Sequence, residues 1–172
     1  MSNEAKRAAD EATKHMQLVD ALRTNNMLQI TYLIRNLLLD SKSNPAYGSP
    51  LHLAVALSSR DVIERILILF CGANHPPGEA ATPKDAESIA FNWINSQNSD
   101  GDTPVHIAAK LGRLDSVEML FKCPLIDETT RNYQSLTAED IAKDDKVVLF
   151  LRGEIHLIFT IILIIRAKEY LL

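Results

Sequence analysis

Glycine is scarce in this chain, 6 of 172 residues, so no glycine-rich loop is available to cradle a nucleotide phosphate. Cysteine is scarcer. Cys71 and Cys123 are the two present, and their surroundings read as small buried hydrophobes or helix-end residues, with neither zinc spacing nor a disulfide framework. That usage fits a reducing compartment, cytosolic or nuclear, and cytoplasmic is the expected localisation. No run of five or more basic residues occurs, and the net charge is −4, which argues against a broad nucleic-acid surface. Residues 1–13 lack the apolar stretch of a signal peptide. Serine and cysteine nucleophile signatures are also missing. Asp140, Asp144 and Asp145 form an acidic cluster, but no loop supplies the alternating oxygen ligands of a calcium site. The expectation is a protein that is not an enzyme, with no catalytic, cofactor-binding or metal site and no small-molecule ligand.

What the chain does have is a short phrase spoken twice. Thr103-Pro104-Val105-His106-Ile107-Ala108-Ala109 is matched by Ser49-Pro50-Leu51-His52-Leu53-Ala54. A hydroxyl residue suits a helix N-cap, and proline suits the first helical position, where its fixed φ helps and its missing N–H costs nothing. After about two turns Gly112 supplies a helix stop. Residues 115–121 then read as a second helix with an apolar stripe at Val117, Leu120 and Phe121. The earlier copy repeats the scheme, with its second helix over residues 61–70. Thr/Ser-Pro-x-His followed by a short helix, a turn and an amphipathic helix is the signature of the ankyrin repeat. The fold class this predicts is all-α, an ankyrin-repeat solenoid of about four helix-pair units with one inserted helix.

The register supports that count. Pro50 and Pro104 lie 54 residues apart, against a period of about 33 residues. The excess reads as an insertion at about 72–95, opening with the loop sequence Asn74-His75-Pro76-Pro77-Gly78. Within it, residues 83–94 predict an amphipathic helix that places Trp93 either in the core or at an interface. Thr137-Ala138-Glu139-Asp140-Ile141-Ala142 follows Thr103 by 34 residues and predicts a further unit that keeps the Thr cap but loses proline and histidine. Residues 18–26 and 30–38 read as a degenerate first pair. Atypical end units are expected because they close the stack. His52 and His106 recur once per unit, as scaffold residues do, and are expected to bond to neighbouring loops rather than to do chemistry. The structural motif residues are thus Ser49, Pro50, His52, Thr103, Pro104, His106 and Thr137.

The predicted organisation is a polar N-terminal tail at 1–13, either a frayed helix or disordered, an ankyrin domain at 14–152, and an atypical apolar tail at 153–172. Residues 155–165 are almost wholly apolar and β-branched, shorter than the roughly 20 residues of a spanning helix. Three readings of that run stand side by side: a helix or strand covering the end of the stack, a truncated or mis-spliced end, or a short membrane-interface segment. The last defines an alternative function, a membrane-associated ankyrin protein using the apolar tail 155–165.

A narrower resemblance follows from several motifs together. Asp20-Ala21-Leu22-Arg23, the His75-Pro76-Pro77-Gly78 insertion, Asn98-Ser99-Asp100-Gly101-Asp102 before Thr103, Leu111-Gly112-Arg113-Leu114-Asp115, and the finger from Asp127 to Arg131-Asn132 carry it. Over about residues 16–152 the chain resembles the N-terminal ankyrin region of fungal oxysterol-binding-protein homologues. In that family this region precedes a pleckstrin-homology domain, a short receptor motif and a lipid-binding barrel, none of which is found in these 172 residues. The resemblance implies a non-catalytic targeting module that binds a protein partner, with membrane contact indirect and organelle contact sites the expected place. Finger and inner-helix positions are the partner-binding candidates: Asp100, Asp102, Lys110, Leu111, Arg113, Arg131, Asn132 and Tyr133.

Overall fold

The computed structural model describes residues 3–39, 48–71 and 91–153. Among these every regular element is a helix: α1 (Asn3–Arg23), α2 (Met27–Leu39), α3 (Pro50–Leu57), α4 (Arg60–Cys71), α5 (91–94), α6 (Pro104–Lys110), α7 (Leu114–Leu120) and α8 (Asp145–Leu151). The pairs α1/α2, α3/α4 and α6/α7 are the first three units. Inner helices α1, α3 and α6 pack in sequence, and outer helices α2, α4, α7 and α8 pack in a second row.

One apolar core runs through the stack. Leu18, Leu22, Ile30, Ile34, Leu51, Ile63, Ile66, Ile94 and Leu120 are wholly buried. The α7 stripe read from sequence faces inward: Val117 and Leu120 are buried, and Phe121 meets Phe150 of α8 edge-on, with ring centroids 5.3 Å apart. Small residues at Ala54, Ala108 and Ala109, all fully buried, let the inner helices approach closely.

Helix ends account for much of the wiring between units. α1 and α6 both close with a Schellman arrangement around a left-handed residue. In α6 that residue is Gly112 (φ 68°), with Arg113 N–H donating to Ala108 C=O and Gly112 N–H to Ala109 C=O. In α1 it is Asn25 (φ 51°), with Asn26 N–H donating to Ala21 C=O. The corresponding position after α3 is Ser58, whose φ is −112°, so α3 lacks this closure. The guanidinium of Arg113 supplies what is missing, donating to Val55 C=O at 2.7 Å and Ser58 C=O at 2.5 Å. The glycine that ends α6 therefore aims the side chain that ends α3.

Of the two readings of the polar N-terminal run, the helix is the one seen: residues 3–13 are continuous with the rest of α1. One expectation is modified. Residues 138–141, expected as a helix, form turns, so the fourth unit consists of a capped turn followed by α8. The predicted helix over 83–94 is seen at 91–94, where Trp93 is half-buried against the core. The rest of that helix, the 74–78 loop and the apolar run 155–165 lie outside the described residues. No helix among the described residues is long and apolar enough to cross a membrane.

Candidate interaction face and the junctions behind it

Two fingers precede the third and fourth units, and they are built alike. Asn98 Oδ1 accepts from the N–H groups of Asp100 and Asp102, while Asn98 N–H donates to Asp102 C=O. Thirty-four residues on, Asn132 Oδ1 accepts from Gln134 and Leu136, while its N–H donates to Leu136 C=O. Each finger turns through a left-handed residue, Gly101 (φ 77°) or Ser135 (φ 63°). They are pinned together by Tyr133 N–H donating to Asp100 C=O at 3.1 Å, and by Gln97 Nε2 donating to both Gly101 C=O and Arg131 C=O. The Tyr133 ring lies against Gly101, where a Cβ would fall 2.6 Å from it.

The two histidines span the unit junctions. His52 Nδ1 lies 2.9 Å from Ser49 N and its Nε2 2.9 Å from Asp102 C=O. His106 Nδ1 lies 2.8 Å from Thr103 Oγ1 and 3.3 Å from Thr103 N, with Nε2 3.0 Å from Leu136 C=O. Each ring thus joins the start of its own helix to the finger of the next unit. Burial pushes the His52 ring below its ordinary value of 6.5, opposed by its hydrogen bond to the Asp102 carbonyl. In the fourth unit Asp140 stands where histidine would. Its carboxylate accepts from the N–H and hydroxyl of Thr137, both at 2.9 Å, and its own N–H donates back to Thr137 Oγ1. These bonds, with Arg131 nearby, hold the Asp140 carboxyl below the usual carboxylate range.

The candidate partner-binding residues fall into two groups. Asp102, Asn132 and Arg113 face inward. The Asp102 side chain is 1 % exposed and its two oxygens accept from Asn132 Nδ2 at 2.9 Å and Lys110 Nζ at 3.2 Å. Asn132 is buried within its finger, and Arg113 is spent on the end of α3. Asp100, Lys110, Leu111, Arg131 and Tyr133 are exposed. Even here the cations are engaged: Lys110 with Asp102, and Arg131 with Ser135 C=O at 2.7 Å. The apolar members stand open, Leu111 at 53 % and Tyr133 at 71 % exposure.

Sequence reasoning missed Leu57, exposed on α3 at the position equivalent to Leu111. The 54-residue offset between the two motif copies maps one onto the other and carried the signal. It also missed Asn95, which reaches across to the third unit's exit, donating to Leu125 C=O and accepting from Asp127 N–H. Asp127 is itself held below the usual carboxylate range by Thr129 and Thr130. A cleft of about 320 Å³ beside Arg131 is lined by Val105, Glu128, Thr137 and Leu151 among others. Among the described residues no three or more His, Cys, Asp or Glu side chains group as metal ligands would.

Comparison with known proteins agrees with this geometry. The chain is 28 % identical over 133 residues to alpha-latrotoxin-Lg1a of Latrodectus geometricus, covering 77 % of this chain and 8 % of the toxin. The crystal structure of the Osh1 ankyrin domain from Kluyveromyces lactis superposes with a TM-score of 0.62 at 25 % identity, covering 84 % of this chain and 55 % of that one. The Saccharomyces cerevisiae Osh1 ankyrin domain, crystallised with Nvj1, gives 0.61 at 20 % identity, covering 93 % and 64 %. The chain thus spans a small part of the toxin and somewhat over half of the Osh1 domains. A model of three ankyrin repeats matches residues 8–132, well over half the chain. With helix pairs in register, histidines at the second and third junctions and paired fingers, that match places the chain in the ankyrin-repeat family, a family of protein-interaction modules.

Proposed function

We propose that the chain is a non-catalytic targeting module of the kind found at the head of oxysterol-binding-like lipid-transfer proteins, docking a protein partner through its fingers and inner helices. Support for the narrower placement comes from the motif combination and from the likeness to Osh1 domains, one of which was crystallised with a partner, Nvj1. The observation that carries the binding face is the contrast in side-chain engagement: Lys110, Arg113 and Arg131 bond within the chain, while Leu57, Leu111 and Tyr133 are left to solvent. Recognition on such a face rests on apolar and aromatic contact, with charge in a supporting role. Its place of action in this reading is the cytoplasmic side of an organelle contact site.

The test is affinity capture from cell lysate with the full chain and with a Leu57→Ala, Leu111→Ala, Tyr133→Ala variant whose melting temperature is unchanged. The expected outcome is loss of the captured protein from the variant alone. Equal capture by both removes the proposed face. Localisation of a tagged full chain to sites where two organelles meet supports the contact-site reading, and uniform cytoplasmic signal refutes it.

A further inference from the structure

The outer row of helices is covered unevenly. α7 lies between α4 and α8, and with a neighbour on each side it buries Ser116, Val117, Met119 and Leu120. α8 packs on α7 and ends the row among the described residues; it buries Val147 alone. Val148, Leu149, Phe150 and Leu151 are half-exposed, although no polar residue falls between Lys146 and Arg152. At helical spacing Phe150 and Leu151 share a face with Val147, and they pack with it against the core. Leu149, two residues on from Val147, falls on the far side. There a helix at the end of a stack normally carries polar residues. Beside this helix lies the cleft of about 320 Å³, with Val105, Ala138 and Leu151 among its lining residues.

The exit from α8 sets where the chain goes next. Gly153 is left-handed (φ 73°); its N–H donates to Phe150 C=O, and Arg152 N–H donates to Val148 C=O. A left-handed residue just past a helix turns the chain off the helix axis, and an apolar residue beyond it frequently folds against the last turn. The first apolar residue beyond Gly153 is Ile155. It opens the run 155–165, in which His156 and Thr160 are the polar members.

We propose that the run 155–165 seats, within its own chain, on the open side of α8 and over the adjoining cleft, in the place a further unit would take. Proximity selects this occupant over a second copy. The run begins two residues after Gly153, and so short a tether holds it near the face at an effective concentration on the order of millimolar. A second copy in a micromolar solution is at a disadvantage of about a thousandfold before any contact is counted. Composition selects it too: the apolar side chains of the run and those of Val148 and Leu149 leave water together, which is the driving force for burying both.

The experiment is photo-cross-linking of the full chain carrying Leu149→benzoylphenylalanine, at about 1 µM so that association between copies is disfavoured. The expected product is a monomer in which residue 149 is joined to the 155–165 segment, read by mass spectrometry. Cross-linking to that segment only in a dimer assigns the face to a second copy and overturns the proposal, as does a product without that segment. Vesicles of phosphatidylcholine and phosphatidylserine are then added. The cross-link is expected to persist; flotation of the chain with loss of the cross-link gives the run to lipid and overturns the seat. The native face is read by amide hydrogen exchange in the unlabelled chain and in an Ile158→Asp, Ile161→Asp variant. Exchange over 147–151 is expected to rise at least about tenfold in the variant, with α1 to α4 unchanged. Equal exchange in α8 refutes the proposal. Should the variant unfold throughout, the cross-link decides.

Discussion

The third and fourth units begin with the same plan and end differently. Both open with an Asn-anchored finger turning through a left-handed residue, and both follow it with a threonine whose first turn is tied back by the residue three places on. In the third unit that residue is His106, long enough to close its own cap with one nitrogen and reach Leu136 of the next finger with the other. In the fourth it is Asp140, which closes the cap and extends no further. One unit has a helix behind its cap and the other a turn. The difference separates two jobs that one histidine ordinarily combines: stopping the fraying of a helix start, which a short carboxylate does as well, and coupling to a neighbour, which needs a ring with a donor on its far side.

The largest expected effect comes from the finger turns. Gly101 has φ 77°, and a Cβ there would lie 2.5 Å from the backbone nitrogen of Tyr133. Gly101→Val is expected to destabilise by about 4 kcal/mol, from left-handed strain plus a clash with backbone that cannot yield. Ser135 occupies the matching position with φ 63°. Ser135→Gly is expected to stabilise by about 1 kcal/mol by relieving that conformation. Urea unfolding of both variants checks the pair, and equal signs would break the equivalence of the two fingers.

Removal of the coupling ring comes next. His106→Ala removes one of the two donors to the Leu136 carbonyl, strips the Thr103 N–H of its acceptor and leaves a cavity at a residue 1 % exposed, with an expected cost of about 3 kcal/mol. Arg113→Ala opens the end of α3 in the neighbouring unit, at about 2 kcal/mol for two charge-assisted bonds to carbonyls. Arg113→Lys recovers little of it, because one ammonium on a flexible stem does not reproduce a planar fork. Chemical denaturation measures both, and a cost for Arg113→Ala below that of a surface substitution would return Arg113 to the partner-facing set.

These contrasts show what was legible in the chain. The Thr-Pro-x-His phrase exposed the fold because each of its residues solves a local problem, a cap, a fixed φ or a ring near a helix start, and local problems leave local signatures. The 54- and 34-residue spacings placed the units in register for the same reason. The inward roles of Asp102, Asn132 and Arg113 were not legible. A charged or amide side chain in a finger reads as solvent-facing until the partner 30 or more residues away is known, and here those partners are Asn132, Asp102 and the end of α3. The loss of a helix at 138–141 was likewise hidden, since the Thr cap is present and only the packing beyond it differs.

The smallest expected effect closes the comparison. If Asp140 caps without coupling, its removal is local. Asp140→Ala frees the Thr137 N–H, and the turn at 138–141 is expected to exchange its amides faster, with α3, α6 and the 98–103 finger unchanged. Asp140→Asn keeps an acceptor oxygen and is expected to behave nearly as the native chain at neutral pH. Since Thr137 and then Arg131 hold the native carboxyl below the usual range, its cap persists on acidification through ordinary carboxylate values and is lost only as pH falls through the lowered one; in the asparagine variant that step disappears. Hydrogen exchange resolved by unit reads all of this at once. Faster exchange spreading from Asp140→Ala into α6 would mean that the carboxylate couples units after all, and the distinction drawn between the two caps would fall with it.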